Sequence, residues 1–132
     1  MTRLLLDTHL VLWWLKADPR LPPAVVERVQ SPDAEVFVSQ ASLWEMAIKC
    51  SLSRLRVNLS DLERQVPRQG FQWLPIRNAH LLAVAELDNH GQHRDPFDRL
   101  LVCQSRVEPM LDRKSTRLNS SHSSVSRMPS SA

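Results

Sequence analysis

The chain has 132 residues, 42% of them hydrophobic, which fits one domain with a modest core and argues against global disorder. Its net charge of +3 comes from the end of the chain: residues 113–132 carry Arg113, Lys114, Arg117 and Arg127 and no acid, leaving 13 basic against 14 acidic residues in 1–112. The body therefore lacks the overall basic footprint of many nucleic-acid binders, no stretch approaches the ~20 apolar residues of a membrane span, and no cleavage site follows the apolar run Leu4–Leu15, so a soluble cytoplasmic protein is expected.

Arg3–Thr8 reads as a short buried strand, and His9–Lys16 as a helix with a largely apolar surface. Asp18-Pro19 and Pro22-Pro23 mark a turn, with Pro22 or Pro23 in the first turn of a helix to about Gln30. Glu35–Ser39 is a second strand. Gln40–Leu52 reads as a helix with Leu43, Ala47 and Cys50 on one face and Trp44 and Ile48 beside it. Asn58 or Ser60 caps a helix through about Arg68, Gly70 stops it, and Phe71–Pro75 is a third strand. Arg77–Leu87 is helical, with Leu81, Val84 and Ala85 spaced for burial. Asp88–Arg94 is a polar loop in which His90 and His93 are read as solvated. Asp95 caps a last helix, Pro96 opens it, and apolar residues run on to Val107. Strands alternating with helices imply a parallel sheet covered on both faces.

Cys50 and Cys103, far apart and in no CxxC, are expected to be small buried hydrophobes. Residues 113–132 hold 8 serines, no acid and no aromatic residue. Such a segment is expected to stay outside the fold as a disordered tail. The run from Arg113 to Ser123 also resembles translated adapter or vector sequence, which would make it non-native.

Three acids stand out. Asp7 ends the Leu4-Leu5-Leu6 run, Glu45 lies in a helix after the second strand, and Asp98 lies in the first turn of the last helix. In an open parallel sheet, ligands gather at the carboxyl ends of the strands, and each acid can face that edge. Converging carboxylates would suit a hard divalent cation, and hence phosphodiester chemistry. Each also has a structural explanation. Asp98 favours its helix dipole, Asp95 is an N-cap, and Glu45 precedes Lys49 by four residues, the spacing of an exposed helical ion pair. Asp7 is the least easily explained, because it interrupts an apolar run.

Leu4-Leu5-Leu6-Asp7-Thr8-His9 with Leu12-Trp13-Trp14-Leu15 resembles the opening of a PIN domain of the VapC toxin type. Ser39–Lys49 is similar to the family's second acidic motif, Phe71–Ile76 with His80 to the stretch that follows, and His93–Leu101 to the third motif. The resemblance runs from about Thr2 to Met110. It implies a three-layer α/β/α domain over residues 1–112 and a Mg²⁺- or Mn²⁺-dependent ribonuclease, the toxin of a type II toxin–antitoxin pair. Asp7, Glu45 and Asp98 match the family's first three metal-binding acids, with Asp95 as an auxiliary acid. Thr8 and Ser39 match hydroxyls that hold carboxylates or water, and Arg94, Arg99 and Lys49 are candidate RNA contacts. RNA, a small antitoxin and a second copy of the chain are the implied partners.

The family's pattern continues into a further strand with a Thr-x-Asp-like motif. Leu111-Asp112 instead runs into the serine-rich segment, so a C-terminally incomplete domain is expected, and Asp112 is assigned no role. A catalytically dead module that only engages an antitoxin or its own copy is the rival reading. An aspartate-nucleophile phosphatase would need a second acid where His9 stands. Trp13, Trp14 and Trp44, at helical spacing beside Leu and Val, read as core or partner interface rather than as base-stacking surfaces.

Overall fold

A computed structural model describes residues 2–88 and 95–108 and the backbone of 117–118. Three strands, β1 (Thr2–Leu6), β2 (Ala34–Ser39) and β3 (Gln72–Leu74), are joined by crossovers. Helices α1 (Thr8–Lys16) and α2 (Pro23–Val29) connect β1 to β2; α3 (Gln40–Ser51) and α4 (Leu59–Arg68) connect β2 to β3. Then come α5 (Asn78–Ala85), α6 (Pro96–Val107) and a two-residue strand, β4 (Arg117–Leu118). All pairings are parallel, in the order β3-β2-β1-β4.

The sheet is a middle layer because its strands alternate between two cores. Leu4, Leu6, Val36 and Val38 face one core with Val11, Val25, Leu62 and Val66 from α1, α2 and α4. Leu5 and Phe37 face the opposite one with Leu100 and Leu101 of α6 and Val84 of α5. Burial on both faces explains the near-continuous apolar runs in β1 and β2. The expected α/β/α architecture is therefore present.

Several element edges and faces differ from the sequence reading. The first strand stops at Leu6, not Thr8, because Asp7 caps α1: its carboxylate accepts from His9 N at 3.2 Å. Asn58 caps α4 by accepting from Asp61 N, and Gly70, with φ of +85°, turns the chain out of that helix toward β3. On α3 the buried face is Ala41, Ser42, Glu45 and Met46, not Leu43, Ala47 and Cys50, which are half-buried. On α5 the one buried side chain is His80; Leu81 and Ala85 are exposed, and Val84 is half-buried. In both helices polar side chains with specific partners are turned inward, against the apolar periodicity. Cys103 is buried as expected, whereas Cys50 is only partly so.

β4 falls within the serine-rich stretch. Its backbone runs beside β1, with Leu5 opposite Arg117 and Leu6 opposite Leu118. An open strand edge offers N–H and C=O groups that any extended backbone can meet, whatever its side chains. No helix among the described residues is long and apolar enough to cross a membrane.

Candidate active site

β1 and β2 end side by side, since Leu6 lies opposite Val38. Asp7 and Ser39 are the next residues, and each caps the helix that follows. β4 lies on the side of β1 away from β2, so the direction of winding reverses at β1. A carboxyl edge next to such a reversal is where open α/β sheets place their ligands.

Asp7, Glu45 and Asp98 are all buried, at 5%, 7% and 8% exposure. Ionisable side chains are almost never that buried unless paired, so each must be held by specific partners. Glu45 is the best defined. Its Oε1 accepts from Thr8 Oγ1 at 2.9 Å and its Oε2 from Lys49 Nζ at 3.0 Å. Thr8 Oγ1 also lies 2.8 Å from Ser42 Oγ. A carboxylate can only accept, so the single Thr8 proton goes to Glu45 and Ser42 donates to Thr8. The residue after Asp7 thus ties α1 to Glu45 on α3. The expected Glu45–Lys49 pair is present, but as a largely buried acid with a half-exposed lysine rather than as a surface pair.

Asp98 sits in the first turn of α6. Asp95 caps that helix by accepting from Phe97 N at 2.8 Å and Asp98 N at 3.1 Å, as its N-cap reading expects. Asp95 itself is exposed. The Arg99 guanidinium donates to the carbonyls of Leu87 and Asp88, tying the end of α5 to α6. Arg94, His90 and His93 lie outside the described residues. Trp44 is exposed and meets Phe97 edge-on at 4.8 Å between centroids, so it joins α3 to α6 at the surface rather than entering the core. Trp13 and Trp14 are half-buried against the first core, and Trp14 Nε1 donates to Gln69.

Ser39 is fully buried, and its hydroxyl serves a different network from the acids. Ser39 Oγ accepts from Ala41 N and donates to Gln104 Oε1 at 2.5 Å. Gln104 Nε2 donates to Pro75 O and to His80 Nδ1, both at 3.3 Å. Arg77 N also donates to His80 Nδ1, at 3.0 Å. Nδ1 is therefore the acceptor, which puts the ring proton on Nε2, where it is donated to Glu108 Oε2 at 2.5 Å. This buried chain links the cap of α3 to α6 and α5, the helices around the candidate site. Sequence reasoning passed over Ser42, Gln104 and Glu108. The signal for Gln104 was a polar residue on the apolar face carrying Leu100, Leu101 and Cys103, with Glu108 one turn further on.

The donors at this edge are carboxylate and hydroxyl oxygens, the type that suits a hard cation such as Mg²⁺, which binds through one or two carboxylates and retains waters. Among the described residues, no three His, Cys, Asp or Glu side chains stand close enough together to hold a metal ion. The fit thus lies in donor type and in a shared sheet edge, not in a closed cage. No curated protein matches this chain. A family model, that of the PIN domain, matches residues 4–108.

Proposed function

This chain belongs to the PIN domain family, and from that premise we propose that it is a metal-dependent endoribonuclease, the toxin of a toxin–antitoxin pair. PIN domains are generally nucleases. The observation that carries the finer reading is the Thr8–Glu45 hydrogen bond. It joins the residue next to one buried acid to a second buried acid, at the sheet edge where α/β folds bind ligands.

Asp7, Glu45 and Asp98 are the acids that would hold Mg²⁺ or Mn²⁺, which requires them to draw closer together than they stand here. When bound, the cation supplies Lewis-acid polarisation of the phosphate and lowers the pKa of the attacking water. Thr8 fixes Glu45 Oε1, and Lys49 offsets the charge of Glu45 when no cation is present. Asp95 sets the start of α6 and so the position of Asp98. Water oxygen bonds to phosphorus, the bond from phosphorus to the 3′-oxygen breaks, and the leaving oxygen takes a proton. The chain acts in the cytoplasm. Trp44 and Ile48 on α3 and Leu52 at its C-cap, exposed at four-residue spacing, supply an apolar stripe suited to an antitoxin or a second copy of the chain.

The second reading, a PIN-like module that only engages partners, is favoured by Glu45 having both oxygens bonded within the protein. Calorimetric titration with Mn²⁺ separates the two. Saturable binding that Asp7→Ala removes supports the nuclease, and no binding at millimolar Mn²⁺ supports the partner module.

A further inference from the structure

A cleft of about 250 Å³ opens between α1, the turn after it and the end of α3. Thr8, whose hydroxyl reaches Glu45, forms part of its wall. Lys16, Arg20, Lys49 and Arg54 also line it, with Asp18 the only acid among the described residues of the lining. Composition does not account for this, since residues 1–112 hold slightly more acids than bases.

Two of these cations are already paired. Arg20 bonds Asp18 at 2.8 Å and lies 5.1 Å over the Trp13 ring, while Lys49 bonds Glu45. Lys16 and Arg54 are exposed and form no ion pair among the described residues. Lys16 ends α1, where the helix dipole favours a cation, but a dipole does not explain four cations converging on one concavity. The excess positive charge calls for an anion. The volume falls below the ~300 Å³ at which clefts for drug-sized ligands begin. It therefore suits one backbone unit rather than a stacked run of bases.

We propose that this cleft binds one backbone phosphate of the RNA strand, with Lys16 and Arg54 taking its oxygens and Arg20 and Lys49 supplying the surrounding field. Thr8 and Lys16 lie eight residues apart along α1, about 12 Å at helical rise, so the cleft extends from beside Glu45 to the far end of α1. The identity of the anion rests on the ribonuclease reading; the cleft and its charge do not.

The test uses the full chain carrying Asp7→Asn, in chelator, so that no cleavage intervenes. Anisotropy of a labelled single-stranded RNA is measured across a salt series, with and without Lys16→Ala/Arg54→Ala. A control pair, Arg28→Ala/Arg68→Ala, removes the same charge outside the cleft. The cleft pair should raise Kd by about tenfold or more. It should also reduce the slope of log K against log salt by ~0.7, the share of one phosphate on a single strand. The control pair should leave the slope within error. An unchanged Kd and slope in the cleft pair, or an equal loss in the control, overturns the proposal. Failure of the parent reading looks different. Protein with Asp7 intact would then cleave no RNA while cleft-dependent binding persisted.

Discussion

Replacing Gln104 with Met keeps the volume of a fully buried side chain and removes its hydrogen bonds. Three partners are affected: the Ser39 hydroxyl, the Pro75 carbonyl and His80 Nδ1. His80 Nδ1 keeps the Arg77 N–H, so it is not orphaned. Ser39 is fully buried and loses its proton's one acceptor among the described residues, at about 1–3 kcal/mol. Pro75 is exposed as a residue, so its carbonyl regains water and costs about 0.5–1 kcal/mol. Gln104→Met should therefore destabilise the domain by about 1.5–4 kcal/mol, a large part of the ~5–15 kcal/mol typical of a domain. With a mid-range urea m-value of about 2 kcal/mol/M, the midpoint falls by roughly 0.75–2 M. Ser39→Ala in the same background removes the orphaned hydroxyl, so the double variant should be more stable than the sum of the singles by about 1 kcal/mol. A loss under about 0.5 kcal/mol, with no coupling to Ser39, would refute the claim that this buried chain holds α3 and α6 together.

Thr8→Val removes the hydroxyl that orients Glu45 and should lower RNA cleavage about 10–100-fold with the fold intact by circular dichroism; an unchanged rate would remove Thr8 from the site. Burial pushes the Cys103 thiol above its ordinary range, so a disulfide thiol reagent at pH 8 should label Cys50 first and reach Cys103 only as the protein unfolds. The Arg20 side chain beside Asp18, followed by its backbone N–H, holds the Asp18 carboxyl down to about 2. A depressed carboxyl favours the folded state above its unfolded pKa, and that contribution is lost as pH falls through about 2. NMR titration should find that midpoint, and Arg20→Ala, which leaves the backbone N–H bond in place, should move it part of the way back toward 3.8.

The layers and the positions of the three acids were legible because they rest on local rules. The runs Leu4–Leu6 and Val36–Val38 alternate between two cores, and Asp95-Pro96 opens α6 by capping chemistry that needs no tertiary context. The faces of α3 and α5 were not legible. Periodicity ranks side chains by apolarity, so it turned Leu43 and Leu81 inward and left Glu45 and His80 out. Burial of those two depends on partners 24 to 37 residues away in sequence, Thr8 for Glu45 and Gln104 and Glu108 for His80, which no local window contains. The link from Ser39 to Gln104 spans 65 residues and was invisible for the same reason. The basic cleft was hidden by the near-neutral balance of the body, because a total charge carries no information about where charges converge.

The central claim is that the buried acids at the end of β1 and on α3 and α6 run RNA hydrolysis. Cleavage of a structured RNA in Mn²⁺ or Mg²⁺, compared between the wild-type chain and Asp7→Asn, tests it most directly. The account predicts cleavage by the wild type that chelator stops and Asp7→Asn lacks. Equal cleavage by the two proteins, or none by the wild type at millimolar metal, would contradict it.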